Sequence, residues 1–271
     1  MLRLAVLGAT GRMGQSLVRL ISEADDLQLT GAATEPGHAA VGQDAGLLAG
    51  VDQAGVLLTD DVAGAVAACD VAVDFTLPAA VRGNLAACVD AGVPLVMGTT
   101  GLGDDEQAAL ADAAGKIALV YGRNMSVGVN LLTELVRIAA GTLGVDYDIE
   151  ICEAHHRHKV DAPSGTALQL GDAAAEARGG ELSTLAVFER HGRTGERPEG
   201  AIGFAALRAG SIVGDHQVMF AGDEEIIELG HRAVDRDLFA RGALRAVRWI
   251  TGRPPRLYSM RDVLNLGGKL V

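Results

Sequence analysis

Aromatic side chains are scarce in this chain: one tryptophan, three tyrosines and five phenylalanines, 3% of 271 residues. That leaves few platforms for stacking exposed bases. Net positive charge is missing too. Lys and Arg number 23 against 35 Asp and Glu, a formal charge of −12. Non-specific nucleic-acid binding needs basic residues to neutralise phosphates, and an anionic membrane surface asks for the same. No run of roughly 18 or more uninterrupted apolar residues offers a transmembrane helix. The first apolar run, from Leu4 to Thr10, is short for a signal-peptide core and leads into glycines rather than a cleavage site. Cysteine is sparse and odd in number: Cys69, Cys88 and Cys152 lie far apart. They suit buried thiols in a reducing cytoplasm better than a disulfide frame or a zinc knuckle.

What is present is apolar mass. Hydrophobic residues make up 49% of the chain and glycines number 36, enough for one large domain or two modest ones with a full core. Valine- and leucine-rich runs predict buried strands at Leu2–Leu7, Leu27–Ala33, Val71–Phe75, Val93–Met97 and Ile117–Tyr121. Helical spacing predicts Met13–Ala24, Ala79–Ala91 and Asp104–Ala114 between them, with Gly37–Gly55 the loosest stretch. Continuous apolar strands alternating with helices read as a parallel sheet covered on both faces.

After Tyr121 the pattern changes. Ser126–Leu143 reads as a longer amphipathic helix. Strands are expected at Tyr147–Glu153, Leu185–His191, Ile202–Leu207, His216–Ala221 and Glu225–His231, with Gly222-Asp223 as a hairpin turn. Helices are expected at Ala167–Ala177 and Asp235–Ile250, and Gly192–Gly200 is a loop by composition. The expected fold class is α/β. A Rossmann-type parallel-sheet domain over 1–126 binds a dinucleotide, with 237–271 packing back on it. A second α+β domain over 127–236 has a mixed, mostly antiparallel sheet.

The first strand runs into Gly8-Ala9-Thr10-Gly11-Arg12-Met13-Gly14, a G-x-x-G-x-x-G spacing. Glycine permits the tight turn, the close approach to a pyrophosphate and close helix packing, and the helix that follows aims its free N–H groups at phosphate. Glu35, beyond the second strand, is placed to accept hydrogen bonds from ribose hydroxyls. A tight turn that binds nothing is the plainer alternative. Arg12 faces either the pyrophosphate or solvent. Pro36 follows Glu35 where selection for a 2′-phosphate usually brings an arginine, so NADH should serve at least as well as NADPH. Phe75-Thr76 and Gly98-Thr99-Thr100-Gly101 follow other strands, and two readings stand for them: cofactor contact or ordinary loop chemistry.

Glu150–Ala167 is the most informative stretch. It packs His155, His156, Arg157, His158 and Lys159 together, then supplies Pro163-Ser164-Gly165-Thr166 before an alanine-rich helix. Backbone N–H groups, hydroxyls and the helix dipole at such a start make an anion site. A small substrate with two carboxylates matches the cations and the pocket. Histidine is the usual acid/base near neutral pH. Zinc competes on these residues, yet His-His-x-His lacks the usual spaced pairs, so no metal is expected; a solvated basic loop is the bland alternative. Cys152 is a candidate nucleophile or, in its apolar run, an inert buried thiol.

At these residues the chain resembles the 4-hydroxy-tetrahydrodipicolinate reductase (dihydrodipicolinate reductase) family of the lysine and diaminopimelate pathway. The hallmark E-[IV]-x-E-x-H-x-x-x-K-x-D-x-P-S-G-T-A is met at every fixed position by Glu150–Ala167. The likeness extends to GRMG at 11–14, DFT at 74–76, GTTG at 98–101, SVGVN at 126–130, GERPEGAIGFAALRAGSIVGDH at 195–216 and MRD at 260–262. The resemblance implies reduction of a cyclic imine-type dicarboxylate by NADH or NADPH, in a homotetramer built through the second domain's sheet. It implies His155 as acid/base and Lys159 as proton donor or charge stabiliser. His156, Gly165 and Thr166, beside Ser164, would bind substrate carboxylates. Gly8, Ala9, Thr10, Gly11, Arg12, Met13, Glu35, Gly98, Thr99, Thr100, Gly122, Arg123, Asn124 and Met125 would line the cofactor site. Two departures stand out: Pro36, where many members carry arginine, and Gly122–Met125, where a small-residue run ending in Asn-Phe is frequent. The rival readings are another two-domain dehydrogenase, using Cys152 if through an acyl intermediate, and a non-catalytic dinucleotide-sensing regulator.

Overall fold

The computed structural model describes residues 1–266. The chain divides into two compact units, Met1–Val127 together with the segment from Asp237 on, and Gly128–Arg236. In chain order the first unit holds β1 (Leu2–Leu7), α1 (Arg12–Ser22), β2 (Leu27–Ala33), α2 (Ala45–Leu48), α3 (Val62–Val66), β3 (Val71–Asp74), α4 (Pro78–Ala91), β4 (Leu95–Met97), α5 (Asp104–Ala114) and β5 (Ala118–Tyr121). The second unit follows with α6 (Val127–Leu143), β6 (Asp148–His155), α7 (Gly165–Ala177), α8 (Leu182–Leu185), β7 (Ala186–Val187), β8 (Ile202–Arg208), β9 (Gly214–Ala221) and β10 (Ile226–Ala233). The chain then returns to the first unit with α9 (Asp237–Ile250), β11 (Arg256–Tyr258) and α10 (Met260–Val263).

The first sheet is parallel throughout, in the order β11-β5-β4-β3-β1-β2. Its strands carry apolar residues on both faces because helices cover both. Leu4 and Val6 face the layer of α1 and α9, with Leu17, Val18, Val247 and Ile250. Ala5 and Leu7 face the opposite layer, with Val81, Leu85 and Leu110. β1 lies between β2 and β3, so the strand order reverses there. In open parallel sheets such a switch point opens a crevice at the carboxyl ends of the strands.

The second sheet is mixed, in the order β10-β9-β6-β8-β7. Its longest ladders, β9 with β10 and β6 with β9, are antiparallel, while β8 runs parallel to β6 and β7 to β8. One face packs Ile149, Ile151, Phe204, Val218 and Phe220 against Leu132 and Val136 of α6 and Leu170 of α7. The stretch Val127–Asp146 is long and apolar enough to cross a membrane by length and composition, with mean hydropathy 1.2. In the fold it carries α6, whose Leu132, Val136 and Ala140 are buried in this core.

Several boundaries differ from the sequence expectation. The strand expected at Leu185–His191 shrinks to the two residues of β7 at the sheet edge. β6 continues past Glu153 to His155. β11, a three-residue strand after Pro254-Pro255, adds an edge that no local pattern reveals. Within the loose Gly37–Gly55 stretch, buried Asp44 caps α2 and takes N–H bonds from Gly46, Leu47, Ala54 and Gly55 at 2.8–3.1 Å.

Gly31 on β2 shows how tightly α3 sits on this sheet: a Cβ there would lie 2.0 Å from the Ala65 carbonyl oxygen. Gly31→Ala should cost about 1–3 kcal/mol by overpacking, read as a lower urea midpoint at unchanged slope.

Candidate active site

In the first unit a candidate site forms where β1, β3 and β4 end. Gly8 has φ +83°, and a Cβ on it would lie 2.9 Å from the Phe75 carbonyl oxygen, so the loops after β1 and β3 touch at the switch point. The Gly8 and Ala9 N–H groups both donate to the Ala33 carbonyl at 2.9 Å. A Cβ on Gly14 would stand 2.1 Å from the Gly8 carbonyl oxygen, which is why α1 can start directly against the loop. Gly11 caps α1 without a side-chain bond, leaving the helix's first N–H groups to an anion. The hydroxyls of Thr10 and Thr34 meet at 2.7 Å and tie the loop to the end of β2, beyond which Glu35 is exposed.

Asp74, fully buried at the end of β3, organises the next loops. Its Oδ1 accepts the Thr76 N–H at 2.8 Å, the Thr76 hydroxyl at 2.7 Å and the Thr99 hydroxyl at 3.1 Å, while Oδ2 accepts Asn84 Nδ2 at 2.9 Å. A Cβ on Gly98 would enter the Phe75 ring at 2.2 Å. Thr99 is thus turned inward, and Thr100 is exposed. At the end of β5 the Gly122 N–H donates to the Met97 carbonyl at 3.1 Å. Arg12 and Arg123 are exposed, Met13 is half-buried, and Asn124 Oδ1 accepts the Ser126 N–H at 2.9 Å. Met125 is buried in the core, with its carbonyl oxygen 1.8 Å from where a Cβ on Gly242 would stand. All the residues expected to line the cofactor therefore lie at carboxyl ends of parallel strands, but the Met125 side chain belongs to the core.

In the second unit, side chains alternate along β6, so Ile149, Ile151, Glu153 and His155 share the helix-covered face. Glu153 Oε2 is 2.6 Å from His155 Nδ1 and 2.7 Å from Arg208 Nη1. Oε1 accepts Arg208 Nη2 at 2.7 Å and the Ser164 N–H at 3.0 Å. Burial alone would raise the Glu153 carboxyl; the Arg208 fork, then His155 and the Ser164 N–H, outweigh it and hold it below the usual range. The Ser164 hydroxyl accepts the Ala167 N–H at 3.2 Å, capping α7, and lies 3.0 Å from His216 Nε2. The His216 and His155 rings meet edge-on, with centroids 5.1 Å apart. Burial, reinforced by His155, pushes His216 down to about 4, so it is neutral at neutral pH.

Of the residues expected at the anion pocket, Ser164 is already engaged. Ser164 is 2% exposed, with its N–H and hydroxyl both turned inward. Gly165 is exposed and Thr166 half-buried at the start of α7. Lys159 holds both Asp161 oxygens at 2.8 Å. The three histidines diverge: His155 turns onto Glu153, while the His156 and His158 rings lie 6.2 Å apart. Partial burial, then Arg236 and His155, keep His156 below its ordinary value. Burial raises the Cys152 thiol, which disfavours the thiolate that an acyl-forming dehydrogenase would need. Glu153, Arg208, His216 and Asp74 escaped the sequence-level choice of site residues. Glu153 was open to discovery, because a Glu two residues before a His on a strand shares its face.

Over residues 2–125 the chain matches the family described as dihydrodipicolinate reductase, N-terminus, and over 128–264 the one described as dihydrodipicolinate reductase, C-terminus. It is 53% identical over 264 residues to the 4-hydroxy-tetrahydrodipicolinate reductase of Alkalilimnicola ehrlichii, covering 97% of this chain and 99% of that one. With the protein of the same name from Halorhodospira halophila it shares 51% over 265 residues, covering 98% and 99%. Among solved structures, the dipicolinate-bound dihydrodipicolinate reductase of Paenisporosarcina sp. TG-14 has the same fold: TM-score 0.76, 24% identity, coverage 97% and 98%. The amine dehydrogenase of Mycobacterium smegmatis shares the fold at TM-score 0.59 and 15% identity, covering 96% and 95%.

His216 sets a pH dependence of stability. Its folded value of about 4 lies below its ordinary 6.5, so between them the unfolded chain binds the extra proton and folding weakens as pH falls. From about pH 7 to about pH 5 this one group should remove about 2 kcal/mol. Urea midpoints for wild type and His216→Gln should show a shallower loss across that window in the variant.

Proposed function

The chain belongs to the dihydrodipicolinate reductase family, and on that premise we propose how its two units divide the work. The reaction is the NAD(P)H-dependent reduction of 4-hydroxy-tetrahydrodipicolinate to tetrahydrodipicolinate, in the pathway to diaminopimelate and lysine. The first unit (1–126, with 237–271) is the dinucleotide-binding domain, and the second (127–236) takes the dicarboxylate and carries the subunit contacts.

The glycine cradle of Gly8, Gly11 and Gly14 fits a dinucleotide, since any Cβ at Gly8 or Gly14 would collide with backbone. There Ala9, Thr10, Arg12 and Met13 would hold the pyrophosphate at the open start of α1, and Glu35 would accept hydrogen bonds from ribose hydroxyls. Gly98, Thr99 and Thr100, held by Asp74, together with Gly122, Arg123, Asn124 and Met125, would hold the nicotinamide end. Bound there, NADH or NADPH supplies the hydride. Pro36 leaves NADH at least as acceptable as NADPH, with Arg123 an exposed cation available to a 2′-phosphate.

In the second unit, Gly165 and Thr166 at the start of α7, together with His156, hold the substrate carboxylates, and Ser164 braces that start from beneath. Lys159 exchanges Asp161 for the substrate anion, or donates a proton. His155 is the acid/base that delivers the proton accompanying the hydride. The observation that carries this reading is the join, through Ser164, between the His155 end of β6 and the start of α7. Opposite the helices, the second sheet leaves Leu207 and Ile226 each 59% exposed, beside Cys152 and Met219, which supports a homotetramer formed through this sheet. Three free thiols suit a reducing cytoplasm.

A coupled assay with freshly generated substrate, followed by NADH and by NADPH absorbance, should give turnover with both cofactors; no rate above background would revive the sensing regulator. Replacing His155 and Lys159 together by alanine should lower kcat by about 10²–10⁴-fold and leave NADH affinity unchanged. A near-normal kcat would overturn the assignment. Leu207→Glu with Ile226→Lys should split the tetramer in sedimentation velocity.

A further inference from the structure

The Glu153 carboxylate accepts four hydrogen bonds, two on each oxygen: Arg208 Nη1 and His155 Nδ1 on Oε2, Arg208 Nη2 and the Ser164 N–H on Oε1. An ionised carboxylate is an acceptor only, with about four lone-pair positions. All are engaged, and none can donate to the imidazole. The bond at 2.6 Å therefore requires a proton on His155 Nδ1. In the neutral ring that leaves Nε2 bare. Nε2 points past Gly214, where a Cβ would come within 3.1 Å, so the small residue keeps that nitrogen uncrowded.

The carboxylate is itself held from several elements. Arg208 at the end of β8 also donates to the Leu207 carbonyl at 2.7 Å and the Asp161 carbonyl at 2.6 Å. Ser164 belongs to the cap of α7, and His216 on β9, bonded to the Ser164 hydroxyl, abuts the imidazole edge-on. Glu153 is 2% exposed, so water does not compete for its oxygens.

We propose that Glu153, locked by Arg208 and the Ser164 N–H, is the positioning residue of His155, fixing the imidazole with its proton on Nδ1 and making Nε2 the nitrogen that exchanges a proton with the substrate. This rests on the reading of His155 as the acid/base. The substrate's 4-hydroxyl first leaves as water together with a neighbouring ring hydrogen. In the reductive step that follows, the imidazolium Nε2–H bond breaks and its proton goes to the dehydrated ring, which takes the hydride that a bound NAD(P)H would supply, and the neutral imidazole keeps the proton already bonded to Glu153. Reprotonation at Nε2 from water closes the cycle. An amide at position 153 would set an N–H₂ group against donors and drive the imidazole to the opposite tautomer. In a serine-protease triad, the comparable Asp→Asn change lowers kcat by about 10⁴ through the wrong tautomer.

Solid-state ¹⁵N spectra of the full-length histidine-labelled protein, with His155 assigned through His155→Gln, should show neutral His155 protonated on Nδ1. The Nε2-protonated form would overturn the proposal without any change at Glu153. Glu153→Gln should lower kcat by at least about 10²-fold, with little change in substrate KM or NADH affinity, and should move the His155 ¹⁵N pattern toward Nε2–H. Glu153→Asp, which keeps the charge, should recover part of that loss and retain the Nδ1–H pattern. The double variant Glu153→Gln/His155→Gln should be no slower than His155→Gln, because Glu153 acts only through that ring. A multiplicative double variant, or a folded Glu153→Gln with wild-type kcat, would overturn the positioning role. If His155→Gln itself keeps kcat, the acid/base reading falls instead; if it loses kcat while Glu153→Gln does not, only the positioning role falls. Circular dichroism identifies an unfolded Glu153→Gln, and the wild-type tautomer together with Glu153→Asp then decides.

Discussion

The second unit is organised around the need to keep one carboxylate charged in a place without water. Glu153 sits among Ile151, Phe204 and Val218 on the covered face of its sheet, where an unpaired charge would be prohibitive. Its solution draws a donor from each neighbour: an arginine from the adjacent parallel strand, a backbone N–H from a helix cap, and a ring nitrogen from two residues along its own strand. Satisfying the charge thereby fixes the β6–β8 register at its open end, the entry angle of α7 and the orientation of His155. Removing one partner of such a buried pair typically costs about 3–5 kcal/mol, so the stability of the unit and the orientation of His155 draw on the same contacts.

The first unit meets a comparable demand differently. Asp74 is as deeply buried, but its donors are neutral: a threonine hydroxyl and N–H two residues on, an asparagine on α4 and a threonine from the loop after β4. The result is similar in kind, since the loops after β3 and β4 are pinned together at the switch point. A buried acid in each unit thus orders the loops around it, and both acids lie at the carboxyl ends of central strands.

Much of the fold was legible in the sequence, because strands covered on both faces must be apolar at every position, and Leu4–Leu7, Val71–Val73 and Leu95–Met97 are. What escaped was set by distant pairing. β11 is three residues that become a strand only beside β5, and most of Leu185–His191 has no ladder to join. At the site, the Gly8–Gly14 loop and the His155–Lys159 segment were legible because their spacing is local. The role of Ser164 was not, because its N–H and hydroxyl are claimed by Glu153, Ala167 and His216, the last of these 52 residues away. Arg208 reaches Glu153 across 55 residues, and such a pairing leaves no periodicity to read. Met125 looks like part of a ligand-lining loop by position, and only its burial in the core of the first unit shows where its side chain goes.

The return of the chain to its first unit has a consequence for synthesis. α9 supplies Ala243, Val247 and Ile250 to the core beneath β3, β4 and β5, and β11 closes the β5 edge of the sheet. Ser16 and Arg19 of α1 bond Asp237 at the start of that returning helix, at 2.5 and 2.7 Å. On the ribosome the amino-terminal segment therefore emerges first yet lacks one helix of the α1–α9 layer and one strand until residues 237–258 have been made. The inserted unit, continuous from Gly128 to Arg236, has all its own parts sooner. Until then the nascent sheet of the first unit leaves valines and leucines uncovered over the part of one face that α9 will occupy.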